Sequence, residues 1–330
     1  MKQRSLIIVI LLNLIFEGFF GSTLFAQINI DSLKATWENE SAHDTARLHA
    51  LEQLVDDKYL FSQPDSAFYF LQLEIEFAES KGLKKYIGNA LNNQGFAFLI
   101  KNNFYKALEY FEQGLEIRQQ IGDSLGICSS LNNFGILYQT QKKFTKSLEY
   151  YQRVLKFLEA IHDKRRIAGT SINMGGVYLE IGDYANALFY SQKGVTISKE
   201  IGENRFWANG LDYIGKVHLA KGDYSKALSV FEKSLEIFNE IEDKNGSGII
   251  SNNIGRIYNK QGYYEKALTW CKKSLMISEE LESFLDQKKS CKCLYDAYKA
   301  LGDVNNALLY HEKMMVLQED LPKDEISIKL

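Results

Sequence analysis

A forty-residue period constrains this chain more than any other feature. Gly95, Gly135, Gly175, Gly215 and Gly255 stand forty residues apart, and Tyr295 takes the next place. Ala107, Ser147, Ala187, Ala227, Ala267 and Ala307 form a second column on the same spacing. Leu108, Leu148, Leu188, Leu228, Leu268 and Leu308 form a third. A fourth is aromatic: Phe98, Tyr138, Tyr178, Tyr258 and Tyr298, with His218 in the gap. A period of this size, held without insertion or deletion, means an array of small units, each too small to cover its own apolar face, that must stack on one another.

The unit from Trp207 to Gly246 shows how one repeat works. Leu211, Ile214, Gly215 and His218 follow the 3-4-3 spacing of one helical stripe. This predicts a first helix, A. Gly222 stands where a helix C-terminus needs a left-handed residue, and Asp223 follows as the N-cap of a second helix, B. In helix B, Tyr224, Ala227, Leu228, Phe231, Leu235 and Ile237 are the expected buried positions. The glycine and alanine columns let neighbouring helices approach closely. The chain has two prolines, Pro64 and Pro322, both at the edges of the periodic region. A helix interior, where proline costs about 3 kcal/mol, agrees with that placement.

These columns resemble the tetratricopeptide repeat: in the central unit Gly215, His218, Ala227, Phe231 and Ser234 occupy the signature places. The usual unit is about 34 residues, so forty implies longer helices. The chain looks like the long-repeat sensor arrays of Bacteroidetes-type signalling proteins. The expected fold is all-α, a right-handed α-solenoid of about seven helical hairpins. The array runs over 47–326, as a degenerate unit 47–86 and then 87–126, 127–166, 167–206, 207–246, 247–286 and 287–326. Pro64 to Ala67 give the turn and the start of helix B in the degenerate unit. Residues 27–46 read as a linker or first helix, and 327–330 as a tail.

Residues 1–26 differ from the rest. Lys2 and Arg4 precede an apolar run from Leu6 to Phe16, and a second apolar stretch ends at Phe25-Ala26-Gln27. This is the pattern of a secretory signal peptide cleaved after Ala26. The alternative is an uncleaved membrane anchor through residues 6–26, since the two apolar pieces approach the ~20 residues that span a bilayer. The expected location is the periplasm or another exported compartment, or an inner membrane with the array on its periplasmic side.

Catalytic chemistry has little support in the sequence. His43, His49, His162, His218 and His311 show no metal-ligand spacing, and no glycine-rich phosphate loop follows a strand. His218 and His311 fall on core columns and read as structural. No cofactor or metal is expected. A formal net charge of −3 gives no electrostatic case for nucleic acid. Cys128, Cys271, Cys291 and Cys293 lack zinc spacing and read as packed small hydrophobes. A Cys271–Cys291 bridge is the one disulfide considered, because their helices are adjacent in an oxidising compartment.

Binding is the expected mode of action. The helix A positions opposite the core stripe line the inner surface of such a superhelix. They hold Asn92, Asn93, Asn132, Asn133, Asn173, Asn252 and Asn253, a ladder of amides that each donate and accept. The resemblance implies that inward asparagines pair with the backbone of an extended peptide; the bland alternative is that they bond neighbouring helices and tune the twist. Lys216 and Arg256, one repeat apart, suit a partner's carboxylate, or else form a solvated pair with Asp212 as counter-charge. Tyr213 would add apolar contact. The expected partner is therefore a protein or peptide held in the concave groove by a non-enzymatic scaffold. The alternative is the sensor region of a signalling protein whose output domain (histidine kinase, cyclase or helix-turn-helix regulator) lies outside this chain.

Overall fold

The computed structural model describes residues 30–60 and 64–319. The segment read as signal peptide or anchor, 1–26, and the tail with Pro322 lie outside the described residues. Among the described residues every regular element is helical and none is long and apolar enough to cross a membrane. Helix α1 spans 30–38. The rest alternate as A and B helices: α2 (Asp44–Leu54, continued by a π turn Val55–Tyr59), α3 (Pro64–Ser80), α4 (Lys84–Ile100), α5 (Phe104–Gln120), α6 (Ser124–Thr140), α7 (Phe144–Ala160) and α8 (Lys164–Ile181). They continue as α9 (Tyr184–Ile201), α10 (Asn204–Ala220), α11 (Tyr224–Glu240), α12 (Lys244–Gln261), α13 (Tyr264–Glu280), α14 (Phe284–Leu301) and α15 (Val304–Glu319). The architecture is an α-solenoid in which, from α2 onward, consecutive helices pack on one another.

The turns repeat at half the sequence period. From Gly82 to Gly302 a residue with positive φ stands at every twentieth position. Glycine takes seven of these places; Asn102, Lys142, His162, Glu242 and Glu282 take the others at φ 53–58°. Non-glycine residues pay a steric cost there, yet the short turn between two packed helices requires that conformation. The next residue takes the N-cap place of the following helix, and where it is Asn or Asp its side chain usually bonds there. The side chains of Asn103, Asp123, Asp163, Asp183 and Asp243 each accept a backbone N–H three residues on. Asp223 corrects the sequence reading: it stands at the N-cap place of α11 but makes no side-chain cap bond. Its carboxylate lies 3.5 Å from His218 Nδ1 instead.

The glycine column is explained by what lies sixteen residues further on. A Cβ on Gly95 would come within 2.5 Å of the Phe111 ring, and one on Gly135 within 2.5 Å of Tyr151. At Gly215 the neighbour is Phe231, at 2.6 Å. Phe111, Tyr151 and Phe231 are fully buried. In these three repeats the B helix thus drives one large ring into the gap its own A helix leaves, whereas at Gly175 the neighbour is the small Ser191. The aromatic column stacks on a second column that the sequence reading did not isolate. Ring centroids lie 5.3 Å apart for Phe98–Tyr110, 5.5 Å for Tyr138–Tyr150, 5.4 Å for Tyr178–Tyr190 and 5.7 Å for Tyr298–Tyr310, all parallel.

At Gly255 the B-helix neighbour is Cys271, and the sulfur of Cys293 also lies there. Cys271 is disulfide-bonded to Cys293, not to Cys291, which corrects the expected bridge. Cys291 and Cys293 are two residues apart on α14, hence ~200° apart around its axis. Only Cys293 faces the gap between α12 and α13. Cys291 and Cys128 are buried free thiols. His311 also departs from expectation: it is exposed and tilted against Tyr295, because no described helix covers that side of α15.

Candidate functional site

The A helices form one continuous surface. Consecutive members from α4 through α14 touch one another directly, whereas B helices make no comparable contact with other B helices. The A helices therefore take the inner, shorter path of the curve. Side chains bond along this surface from one repeat to the next. Asn89 donates to Glu52 (2.9 Å) and Asn93 to Asp56 (3.4 Å). Asn173 donates to Asn132 (3.3 Å), Gln139 to Glu180 (2.6 Å) and Asn253 to Asp212 (2.9 Å).

The ten residues singled out in the sequence fall into four situations. Asn93, Asn132, Asn173 and Asn253 belong to this inter-repeat ladder, each with amide capacity left over. Asn92 is buried and accepts from Ser130 Oγ at 3.4 Å, beside the backbone of Gly114. Asn133 is half-buried with no bond to another described group. The remaining four, Tyr213, Lys216, Asn252 and Arg256, stand with Asn253 toward the C-terminal end. Tyr213 lies over Gly176, where a Cβ would meet its ring at 2.9 Å, and Lys216 sits 5.0 Å above that ring. Lys216 is ion-paired with Asp212. Burial disfavours its charge, but the Asp212 carboxylate outweighs that and holds its ammonium above the usual value. Arg256 is exposed and donates to Asn253 Oδ1 at 3.3 Å.

Lys216, Asn252, Asn253 and Arg256 line one cleft of about 520 Å³ between α12 and α14. The structure adds Lys288, Lys289 and Asp286, which the sequence reading passed over, to Lys292 and Asp296, which stand on the repeat grid forty places after Asn252 and Arg256. Lys288, Lys289 and Lys292 line its far wall, with Asp286 and Asp296 among them. Lys289 pairs with Asp286 and Lys292 with Asp296, leaving the cleft with a positive excess. Ile249 and Leu285 supply apolar contact. The three lysines within five residues of α14 were the available signal; a lysine-rich helix face in isolation reads as ordinary solvated surface. Among the described residues no group of His, Cys, Asp and Glu is arranged to hold a metal.

A second polar network runs through the first repeats. Arg118 is 4% exposed and donates to Gly126 O (2.9 Å), Ser130 Oγ (2.7 Å) and Asn89 Oδ1 (2.8 Å), tying α5 to α6 and α4. Sequence periodicity does not flag Arg118, because the other repeats carry Leu158, Ser198, Phe238 and Ser278 at its place.

Comparison with known proteins agrees with the architecture. The chain is similar to a Rap protein solved in complex with competence and sporulation factor, at 14% identity and a TM-score of 0.59 over 89% of this chain and 98% of that one. It is similar to the apo form of RapI, at 15% identity and a TM-score of 0.61 over 82% and 97%. BtubC from P. vanneervenii gives 16% identity and a TM-score of 0.55 over 69% and 97%. At these identities the likeness is one of fold. No curated protein matches the sequence. Family models described as tetratricopeptide repeat match residues 86–160, 166–240 and 250–281. With the forty-residue columns, the paired helices and the continuous A-helix surface, these matches show that the chain belongs to the tetratricopeptide repeat family.

Proposed function

We propose that this protein is a binding scaffold that holds an extended protein segment along the A-helix surface, acting by holding its partner and not by transforming it. The observation that carries this reading is the cleft between α12 and α14, where four of the residues chosen from sequence come together on the inner face. An extended strand has unpaired backbone groups along its length, and amides such as Asn133 and Asn252 are suited to meet them. Tyr213 and the apolar floor give the non-directional part of the contact. The solved Rap complex with competence and sporulation factor shares this fold and supports a binding role. The composition of residues 1–26 supports an exported or membrane-anchored location.

The test is site-specific photocrosslinking from two faces. A photoreactive side chain at Tyr213 samples the inner surface; one at Phe189, 61% exposed on α9, samples the outer one. The reading expects a partner to be captured from Tyr213 and lost when Asn133, Asn173 and Asn253 are changed together to Ala. Capture from Phe189 alone refutes it. N-terminal sequencing of the protein from cells tests export: a new terminus at Gln27 supports cleavage, and an intact Met1 on a membrane-bound chain supports the anchor.

A further inference from the structure

The disulfide joins two columns of the repeat. Cys271 stands in the place of Phe111, Tyr151 and Phe231, the rings that fill the gap beside the glycine column. Cys293 stands in the inner-surface column of Asn93, Asn133, Asn173, Tyr213 and Asn253. Here two sulfurs, one from α13 and one from α14, take the room of a ring. A Cβ on Gly255 would lie 2.5 Å from Cys271 Sγ and 3.1 Å from Cys293 Sγ, so both sulfurs sit against the backbone of α12. Asn259 of α12 donates to the Cys293 carbonyl at 2.9 Å, and its amide nitrogen lies 3.6 Å from the Cys293 sulfur. Both cysteines are buried, yet Cys293 also lines the cleft between α12 and α14. The bridge therefore lies directly behind the cleft and holds its α14 wall in place.

Two thiols at van der Waals separation need more room than one covalent sulfur pair. Gly255 leaves no slack on the α12 side. The added room has to come from α14. Its first turn is weakly held: Phe284 and Leu285 are exposed there, and Ser283 at the N-cap place makes no side-chain cap bond. Gln287 donates to Ser278 O at 3.2 Å and the hydroxyls of Ser274 and Ser290 meet at 2.8 Å, so α14 stays tied to α13 as it shifts.

We infer that the Cys271–Cys293 bridge is a redox latch on the cleft: a dithiol reductant opens it from the cleft side, α14 moves away from α12, and the hold of the groove on its partner loosens. The inference rests on the groove reading above and adds its regulation. One thiolate of the dithiol attacks Cys293 Sγ, the sulfur on the cleft wall; the bridge breaks and Cys271 leaves as a thiolate that takes up a proton. The second thiolate of the dithiol attacks the reductant sulfur now bound to Cys293, and Cys293 leaves and is protonated in turn. Two electrons and two protons pass to the cysteine pair, and the dithiol ends as a disulfide.

The test compares the full-length protein with and without dithiothreitol. Cys128 and Cys291 are already free thiols, so the reductant changes the bridge alone. Reduction should speed amide exchange in α14 by about tenfold or more and leave α4 to α9 unchanged. A photoreactive side chain at Leu285, exposed on the cleft wall, should capture the partner about fivefold less in the reduced protein. C271S/C293S should behave as the reduced protein and ignore the reductant. Glutathione, a monothiol, should be trapped as a mixed disulfide on Cys293; trapping on Cys271 overturns entry from the cleft. Complete reduction with α14 exchange and capture both unchanged overturns the latch and leaves the groove reading intact. Faster α14 exchange with no capture from Leu285 or Tyr213 in either state overturns the groove reading, and with it the regulatory half of the inference.

Discussion

Replacing Gly215 by Ala tests the packing rule that runs through the array. An added Cβ would stand 2.6 Å from Phe231 Cε1, 2.8 Å from Cδ1 and 2.9 Å from Cζ. Carbon atoms prefer about 3.5–4.0 Å, so the ring must retreat by roughly 1 Å or the two helices must part. The ring cannot yield freely: Phe231 is fully buried among Ala208, Ala227, Ile250 and Ile254. Overpacking of this kind costs about 1–3 kcal/mol. Helix propensity works the other way, since Ala is better than Gly in a helix interior by about 1 kcal/mol. The net expectation for Gly215→Ala is a loss of about 1 kcal/mol. Phe231→Leu removes Cε1 and Cζ, two of the three clashing atoms. In that background Gly215→Ala should become neutral or stabilising, a coupling of about 1–2 kcal/mol and within the range for residues in contact. Urea unfolding followed by tryptophan fluorescence reports on this region, because Trp207 and Trp270 pack against the same cluster. The m-value must stay constant across the four proteins for the comparison to hold in a repeat array. Equal costs of Gly215→Ala in both backgrounds would refute the account of the glycine column.

Three further outcomes follow from particular side chains. Arg118→Met removes donors to Gly126, Ser130 and Asn89 at once; it should cost about 2–4 kcal/mol and accelerate amide exchange in α4 and α6, and an unchanged urea midpoint would show the network to be idle. Burial first, then the charges of Glu52 and Asp56, raise the Glu74 carboxyl well above its ordinary value. The folded protein therefore keeps that proton to higher pH than the unfolded chain does. The stability it contributes is full below the unfolded pKa of ~4.3 and is lost as pH rises through the folded value. Glu74→Gln should flatten that decline and leave the protein more stable than wild type at pH 8; parallel pH profiles would contradict the assignment. Thiol labelling of the unfolded, unreduced protein should modify Cys128 and Cys291 alone, with the peptides of Cys271 and Cys293 recovered linked; labelling of all four thiols, or a linked Cys271–Cys291 pair, would contradict the bridge.

The sequence by itself determined the architecture. The forty-residue columns, with proline confined to the edges, leave one physical solution, because paired amphipathic helices of fixed length bury their stripes only by stacking. The same columns place the A-helix surface, so Lys216, Asn252, Asn253 and Arg256 could be named before their cleft was seen. Tertiary structure alone decided which side chains are committed. Asp223 and Asp243 occupy equivalent places, yet one turns toward a histidine and the other caps its helix. Lys216 is neutralised by Asp212 while Lys288 has no ion pair among the described residues, a distinction no lysine carries in its identity. Cys293 and not Cys291 meets Cys271, because ~200° of helix separates residues two apart. Arg118, with no counterpart in the other repeats, joins three helices through acceptors that only the fold brings within reach. Periodicity is a property of apolar burial summed along each helix and is therefore written in the chain. The pairing of a polar group depends on one distance and one direction between helices, which are set when the repeats close on one another.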